Sequence, residues 1–483
     1  MASSTADLEA SAGIIGDQRL QANVLVLFQQ LLSAEFVSAV LREAKVRENN
    51  RVYTSPVVMW LMVWQRLQAQ GTLESAVVEL LRGLPSSFWP HPCKRLTEAV
   101  KEGGTKLSNN TGAYNQARNG LLLPVVEQCC DHFFKKLIEA AENASEARRP
   151  AFFLDGTTVR MPHTEELAQA YPPTSNQHGP SHWPLIRMLV AHADTVCCGH
   201  TTRDKRYPHD AYTGLAMRPE WGPVNGSQAV SEQSLLEQAI HRLPSGAVVL
   251  GDSNFGVFSV AYVGDQQGHP VLLRLTAVRT RHLAQGAWRD GIDQRVVWRP
   301  SRDDRRSHPE LPAQACVEGR LIVRQVQPSN GAEPFLLALF TTLPDPAGEI
   351  VDLYGQRWNI EVDLRSLKGT LRLEELTCTT VPMVAKEIDL AMLAYNLVRV
   401  VMYLAARKAG LEPRAFSFTR VRNLLNAFLP AITAAKDERH ARKLLDDMLY
   451  YLERAKLSPR KRKRPSYPRA VWPKSKSHPL RHA

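Results

Sequence analysis

The stretch "ARRPAFFLDGTTVRMP", residues 147 to 162, marks the point where the sequence changes from a helical to a mixed pattern. Its short apolar run has turn-forming residues on both sides, which is typical of a buried strand. Strand-like and helical patterns then alternate in "LIRMLVAHADTVCCGHTT" (185–202), "SEQSLLEQAIHRL" (231–243) and "GAVVLGDSNFG" (246–256). This alternation predicts an α/β domain.

The regions around this α/β segment predict a division of the 483 residues into several parts, because a chain of this length exceeds one hydrophobic core. Residues 258–345 hold four strand-like pieces, "HPVLLRLTAV", "QRVVWRP", "RLIVRQVQ" and "PFLLALFTTL", and no convincing helix. We therefore predict a helical N-terminal domain (1–145), the first part of an α/β core (146–257), a β-rich insertion (258–345), the second part of the core (346–410), C-terminal helices (411–457) and a basic tail (458–483).

The net charge of +12 is concentrated at the C-terminus, where the chain from Lys456 onward carries ten Lys or Arg and no Asp or Glu. Such a tail attracts nucleic-acid phosphates without sequence preference, and Tyr467 and Trp472 are available for stacking on bases. The alternative is a tail that only improves solubility. A second basic strip is predicted in the N-terminal domain, where the alternative is a solvated helix edge; it comprises Arg42, Lys45, Arg47 and Arg51.

The sequence gives no indication of a membrane span or an export signal. Its longest strongly apolar run, "VVMWLMVW" at 57–64, is far shorter than the roughly 20 residues that cross a bilayer. The seven cysteines lack the spacing of a zinc site and are odd in number, which favours reduced thiols. We expect a cytoplasmic protein.

The stretch "LYGQRWNIEVDLRSLKGTL", residues 353–371, has a helical pattern that gathers four polar side chains. On one continuous helix, Tyr354, Arg357, Glu361 and Lys368 project within about 60° of one another. Asp363 falls elsewhere, among polar neighbours, and is predicted to be solvated. An apolar stripe adjoins the four polar residues and consists of Leu353, Ile360, Leu364, Leu367 and Leu371.

A carboxylate flanked by a phenol, a guanidinium and an ammonium suits a place where phosphate oxygens meet a metal ion. The alternative is a helix face with ordinary ion pairs. Asp155 and Asp252 each follow an apolar run, where α/β sheets commonly place their sites, although a turn or cap is the alternative for either residue. Together with Glu361 they could hold two Mg²⁺ or Mn²⁺ ions, which prefer oxygen ligands.

These positions resemble the DDE transposases of bacterial insertion sequences, specifically the insertion-sequence-four family. That family has a Tyr-x2-Arg-x3-Glu-x6-Lys signature, which this sequence matches at Tyr354, Arg357, Glu361 and Lys368. The two aspartates precede the signature in the expected order, and 109 residues separate Asp252 from Glu361 (361 − 252).

The resemblance implies a ribonuclease H-like catalytic core with a β-rich insertion and an N-terminal domain that binds terminal inverted repeats. Asp155, Asp252 and Glu361 would bind two catalytic Mg²⁺ or Mn²⁺ ions, and Tyr354, Arg357 and Lys368 would contact DNA phosphates. It further implies cleavage at the ends of the element, attack of the freed 3′ hydroxyl on target DNA, a homodimer, and location at the nucleoid of a bacterial cytoplasm.

Some relatives form a DNA hairpin with the help of an aromatic residue in the insertion, and the corresponding region here is the aliphatic "PFLLALF". Trp288 and Trp298 are substitutes for that residue, with packing as their alternative role. Two rival functions are a ribonuclease H-like nuclease that cuts DNA without joining strands, and an inactive regulator that only binds DNA ends.

Overall fold

The computed structural model describes residues 23–49, 51–82, 93–99, 101, 103–144, 149–173, 175–176, 179–180, 183–196, 214–328, 333–374 and 376–457. The predicted basic tail at 458–483, with Tyr467 and Trp472, lies outside the described residues.

The N-terminal part is helical, as predicted. Its longer helices are amphipathic or apolar all round, and Pro56 occupies the first turn of the third helix, where its missing N–H costs nothing. The helices are α1 (Val24–Leu31), α2 (Ala34–Glu43), α3 (Ser55–Leu67), α4 (Leu73–Leu81), α5 (Lys94–Ala99), α6 (Gly112–Gly120) and α7 (Leu123–Ala144).

A mixed sheet of eight described strands forms the centre of the fold, in the order β5-β4-β1-β6-β7-β10-β9-β8. Strand β1 is antiparallel to β4 and parallel to β6, and β6 is parallel to β7. The strands are β1 (Arg149–Arg160), β4 (Leu185–Val196), β5 (Glu220–Pro223), β6 (Val248–Gly251), β7 (Val271–Arg274), β8 (Asp293–Trp298), β9 (Val317–Val326) and β10 (Phe335–Thr341), with a separate two-stranded sheet of β2 (Ser175–Asn176) and β3 (Gly179–Pro180).

Short helices connect these strands. They are α8 (Glu165–Ala170), α9 (Glu232–Ala239), α10 (Phe258–Gln266), α11 (Ala277–Ala284) and α12 (Arg302–Ser307). The last three contradict our prediction that residues 258–345 contain no helix. They are difficult to read because each has only six to nine residues, too few for the apolar period of a helix to repeat.

The strands predicted within 258–345 are confirmed at β7, β8, β9 and β10. They do not form a separate sheet, because β10 pairs with β7 and the whole set continues the central sheet. Strand β7 therefore belongs to the same sheet as β6, and the preceding helix α10 packs against β7 and β9. The sequence pattern identified the strands, but pairing partners depend on the tertiary fold.

The C-terminal part returns to helices, as predicted. They are α13 (Ala347–Gly355), α14 (Trp358–Arg365), a short π-helix (Ser366–Thr370), α15 (Val381–Ala409), α16 (Phe418–Thr433) and α17 (Glu438–Leu452), with a 3₁₀ turn at Pro413–Ala415. Helix α15 packs against α3 and α7 and so ties the N-terminal helices to the rest of the chain. Among the described residues, one helix, α15, has the length and composition of a membrane span. The bent pair of α1 and α2 passes the same criterion only if the two helices are counted as one span. The most apolar window of α15 is 94% buried within the protein, as expected of a central core helix.

Candidate active site

Asp155 and Asp252 lie at the same level of two neighbouring parallel strands. The pairing of β1 with β6 runs from Ala151 opposite Val248 to Phe153 opposite Leu250. Continuing that register by two residues places Asp155 opposite Asp252. Side chains at equal positions of adjacent strands point to the same face of the sheet, so both carboxylates face one side, and both are half-buried.

Asp252 follows β6 in a tight turn. Its Oδ1 accepts a hydrogen bond from the backbone N–H of Asn254 at 2.8 Å, and its backbone carbonyl accepts from Gly256 at 3.0 Å. A Cβ at position 256 would lie 1.9 Å from the carbonyl oxygen of Arg274, so only glycine fits there. The turn thus holds the Asp252 carboxylate close to the end of the strand.

Glu361 lies in helix α14, which packs against β1. Its Oε1 is 3.6 Å from Nη2 of Arg357, one helical turn earlier, and the Arg357 side chain is 13% exposed against 36% for Glu361. Both side chains are therefore half-buried, and the glutamate is the more exposed of the two.

The pKa of Asp155 depends on the charged side chains near it, which include the other predicted site residues. Burial and the nearby charges of Asp252, Glu232 and Glu361 raise the pKa of Asp155 to about 6, and the Arg357 guanidinium opposes this increase. The structure therefore brings the three predicted carboxylates and Arg357 into one electrostatic neighbourhood. Among these five groups, the four carboxylates outnumber the single guanidinium of Arg357, so negative charge is in excess.

An all-oxygen donor set with excess negative charge fits a divalent cation such as Mg²⁺ or Mn²⁺, which favours carboxylate ligands. As the side chains are oriented here, no three His, Cys, Asp or Glu residues of the described part of the chain stand close enough to hold one ion jointly. Shared coordination would therefore require the carboxylates to turn toward one another. Asp155, Asp252 and Glu361 are the residues that would hold such an ion.

The other three signature residues occupy different positions around this cleft. The Tyr354 hydroxyl is buried beside Arg357; burial raises its pKa, and the Arg357 charge opposes this increase. Lys368 lies in the π-helix, half-buried, and forms no ion pair with another residue in the described ranges. Arg357 is thus the signature cation that the structure brings to the carboxylates.

The single continuous helix predicted for 353–371 is wrong. Helix α13 ends at Gly355, and the backbone N–H groups of Gln356 and Arg357 donate to carbonyls only three residues earlier. This tight turn separates Tyr354 from α14, and the π-helix changes the phase again before Lys368. Glycine is a poor helix former, which gives the break at Gly355 a local cause. The apolar stripe is nevertheless confirmed, because all five of its residues are buried.

The prediction that Asp363 is solvated is also wrong. The side chain is 1% exposed and forms ion pairs with Arg399 and, at 2.9 Å from each carboxylate oxygen, with Arg414. Nδ1 of His192 lies 3.5 Å away. These guanidinium groups lower the pKa of Asp363 against the opposing effect of burial. Helix angles alone do not reveal this second buried face, because its partners come from α15 and from the turn at Pro413–Ala415.

Two residues near the site had not been identified from the sequence. Glu232 begins helix α9 and lies directly against Gly156, and Asn254 joins Glu232 to the Asp252 turn. The sequence contained one available signal, since Gly156 directly follows Asp155 and a glycine often marks a close approach. What approaches it is decided by the tertiary fold.

The two candidate tryptophans in 258–345 have different environments. Trp298 is buried and packs edge-on against Phe340 at 4.8 Å between ring centroids, so its packing role is confirmed. Trp288 is partly buried against the same core. Of the described aromatic side chains, Trp358 is the most exposed and follows Arg357 directly.

A large groove lies in the N-terminal helical part, away from the carboxylates. It has a volume of about 1430 Å³ and is lined by residues that include Arg47, Arg51, Lys94, Arg95 and Lys106. All four residues of the predicted basic strip are exposed, and two of them line this groove. The strip therefore continues into a concave basic surface.

Comparison with known proteins agrees with the resemblance in the sequence. Residues 146–397 match the family model of the transposase DDE domain, which is slightly more than half of the chain. The chain is 26% identical over 327 residues to the transposase InsG for insertion sequence element IS4 of Escherichia coli (strain K12), an alignment that covers 66% of each protein and thus just under two thirds of that relative. A solved structure of the piggyBac transposase synaptic complex with hairpin DNA aligns with a TM-score of 0.38 at 10% identity, over 88% of this chain and 85% of that chain. From the family match, the chain belongs to the DDE transposases.

Proposed function

We propose that this chain is a DNA transposase that binds the terminal inverted repeats of an insertion sequence and catalyses metal-dependent DNA cleavage and strand transfer into target DNA. The observation that carries the proposal is the assembly of Asp155, Asp252 and Glu361 around Arg357, within the part of the chain that matches the family model. The similarity to an IS4 transposase supports the insertion-sequence-four type.

The strand order supports a ribonuclease H-like core. Five neighbouring strands run β5-β4-β1-β6-β7, with β1 antiparallel to β4 and parallel to β6. In this proposal the insertion starts after β7 and extends the sheet with β10, β9 and β8, rather than starting at residue 258. The helical N-terminal domain, the second part of the core at 346–410 and the helices at 411–457 keep their predicted positions.

Asp155, Asp252 and Glu361 would hold two Mg²⁺ or Mn²⁺ ions. Such a pair supplies activation of the attacking oxygen and stabilisation of the leaving oxygen. The protein contributes two neighbouring central strands for the two aspartates and a helix for the glutamate. Arg357 offsets part of their mutual repulsion and would exchange that contact for a DNA phosphate, for which its planar guanidinium is suited.

The two remaining signature residues would have different roles: Lys368 would contact DNA directly, and Tyr354 would act through Arg357. Lys368, which is half-buried and free of the ion pairs found among the described residues, would contact a phosphate as a point charge. Tyr354 would orient the Arg357 guanidinium from the protein interior, since its hydroxyl is buried beside that group. The basic groove formed by the segment after α2 with α3, α5 and α6 would bind the terminal inverted repeats.

The expected setting follows from the family. The partners would be double-stranded DNA at the element ends and at the target, a second copy of the chain would complete a homodimeric synaptic complex, and the protein would act at the nucleoid of the bacterial cytoplasm.

The test requires the DNA ends of the element, which sequencing of the DNA around the gene would identify as inverted repeats. Labelled end DNA, a target plasmid and Mg²⁺ are then incubated with the full-length protein. We expect cleaved ends and joined products from the wild type. Asp155→Ala, Asp252→Ala and Glu361→Ala should each abolish cleavage and keep end binding, because each removes a metal ligand rather than a DNA contact. Asp265→Ala is the matched control, since this exposed carboxylate lies on α10 of the same core.

The same assay separates the rival functions. Cleaved ends without joined products would favour a nuclease that does not transfer strands. End binding without cleavage by the wild type would favour a regulator without catalytic activity. Retained cleavage in one of the three alanine variants would remove that residue from the active site.

A further inference from the structure

Helix α9 places a fourth carboxylate beside the two catalytic aspartates. The helix begins at Glu232 with Ser231 as its N-cap, and it packs against β4, β5 and α10. An acidic residue in the first turn of a helix is common, because it interacts favourably with the helix dipole. That interaction alone does not require Glu232 to contact the residues next to Asp155 and Asp252, yet it contacts both segments.

The first contact is with Gly156, the residue after Asp155. A Cβ built on Gly156 would lie 1.9 Å from Oε1 of Glu232 and 2.0 Å from its Cδ. The Glu232 carboxylate therefore occupies the space that any larger residue at position 156 would fill. Its charge also contributes to the raised pKa of Asp155, so it is close to the reacting edge of the sheet.

The second contact connects Glu232 to Asp252 through one residue. The side-chain amide of Asn254 donates to Oε2 of Glu232 at 2.5 Å, and the backbone N–H of Asn254 donates to Oδ1 of Asp252 at 2.8 Å. Gln233 supports the same residue, because its amide donates to the backbone carbonyl of Asn254 at 2.6 Å. Helix α9 thus fixes Asn254, and Asn254 fixes the Asp252 carboxylate.

We propose that Glu232 is a positioning residue of the catalytic centre, which acts through Asn254 to hold the turn that carries Asp252 beside Asp155, where the two carboxylates can turn toward one another to share a divalent cation. The inference rests on the proposed function, since it assumes that these aspartates bind metal. Glu232 itself stays with Asn254 and Gly156 and is not a ligand. Partners that orient metal ligands in this way commonly change metal affinity by about 10- to 100-fold when they are removed.

The test measures the binding of Mn²⁺ to the full-length protein by isothermal titration calorimetry, without DNA. We expect Glu232→Ala and Asn254→Ala each to weaken Mn²⁺ binding by about 10- to 100-fold. Glu232→Gln should retain most of the affinity, because its amide oxygen still accepts from Asn254. The double variant Glu232→Ala/Asn254→Ala should lose no more Mn²⁺ affinity than the single variant that binds Mn²⁺ more weakly. Both changes break the same connection from Glu232 through Asn254 to Asp252.

Glu237→Ala is the matched control on the same helix, since Glu237 lies near His308 and Glu310 rather than near the aspartates. Wild-type affinity in Glu232→Ala would overturn the proposal, as would losses that multiply in the double variant or a loss in Glu232→Gln as large as in Glu232→Ala. If Glu232→Ala does not fold, Asn254→Ala is the deciding variant, because the Asn254 side chain is exposed and its removal should leave folding intact. Unchanged Mn²⁺ affinity of Asn254→Ala would also overturn the proposal.

Asp155→Ala separates this inference from the proposed function. If Asp155→Ala and Asp252→Ala bind Mn²⁺ like the wild type, or if the wild type binds none, the metal site itself is wrong. If those two variants lose Mn²⁺ binding and Asn254→Ala does not, only the positioning role of Glu232 is wrong.

Discussion

Replacement of Asp363 by alanine should destabilise the protein strongly, although the residue is only two positions from Glu361 and was predicted to be solvated. The change removes the carboxylate that pairs with two guanidinium groups in a buried site. Arg399 is 4% exposed and, among the described residues, would keep its hydrogen bonds to the carbonyl of Gly214 and the sulfur of Met402 and its contact with the Tyr395 ring, but no carboxylate. Arg414 would keep the carboxylate of Asp194 at 3.2 Å. Most of the expected decrease in the free energy of unfolding therefore comes from Arg399, which would stay buried without a carboxylate.

Removing one partner of a buried ion pair costs about 3 to 5 kcal/mol, because the other charge stays buried and unpaired. For a cooperative unit of about 250 residues, this corresponds to a decrease of roughly 6 to 10 °C in the unfolding midpoint. Asp363→Asn should lose less, since its amide oxygen still accepts a hydrogen bond from a guanidinium. Asp352→Ala is the matched control, because Asp352 is exposed on the neighbouring helix α13.

The assay is thermal unfolding of the full-length protein followed by circular dichroism, with the three variants and the wild type at one pH and salt concentration. An Asp363→Ala midpoint within 1 or 2 °C of the control would refute the reasoning, because the buried ion pair would then contribute nothing.

Three further predictions concern the cleft and its supports. Asp155→Asn should stabilise the metal-free protein at pH 8 by about 3 kcal/mol, since a native pKa raised from 3.8 to about 6 penalises the ionised form. The difference should disappear in chemical denaturation below pH 4, and equal stability at pH 8 would contradict it. Glu387→Gln should lower the unfolding midpoint much more than Glu374→Gln, because Glu387 pairs with buried Arg66 and accepts hydrogen bonds from two backbone N–H groups, whereas Glu374 is exposed. Lys368→Ala should weaken end-DNA binding and reduce its salt dependence by about one phosphate contact, and an unchanged slope in filter-binding titrations would argue against a phosphate contact.

The sequence alone was sufficient for the features that depend on local pattern. The run "AFFLD" predicted a buried strand, and Phe152, Phe153 and Leu154 are fully buried in β1. The four strand-like pieces after residue 258 are strands, and the apolar stripe near Glu361 packs inward. Each of these follows from an apolar period or a turn signal, which neighbouring residues in the chain determine.

The features that the sequence pattern missed depend on residues that are distant in the chain. Asp363 and Arg399 are 36 positions apart, and Asn254 and Glu232 are 22 positions apart. A helix angle measures only the direction of a side chain relative to its own axis, and it contains no information about which elements cover that side. The sequence therefore determined which carboxylates follow buried apolar runs. Only the tertiary structure decided that β1 continues past Asp155 to Arg160, that Asp363 is buried and that Glu232 contacts the segments of both aspartates.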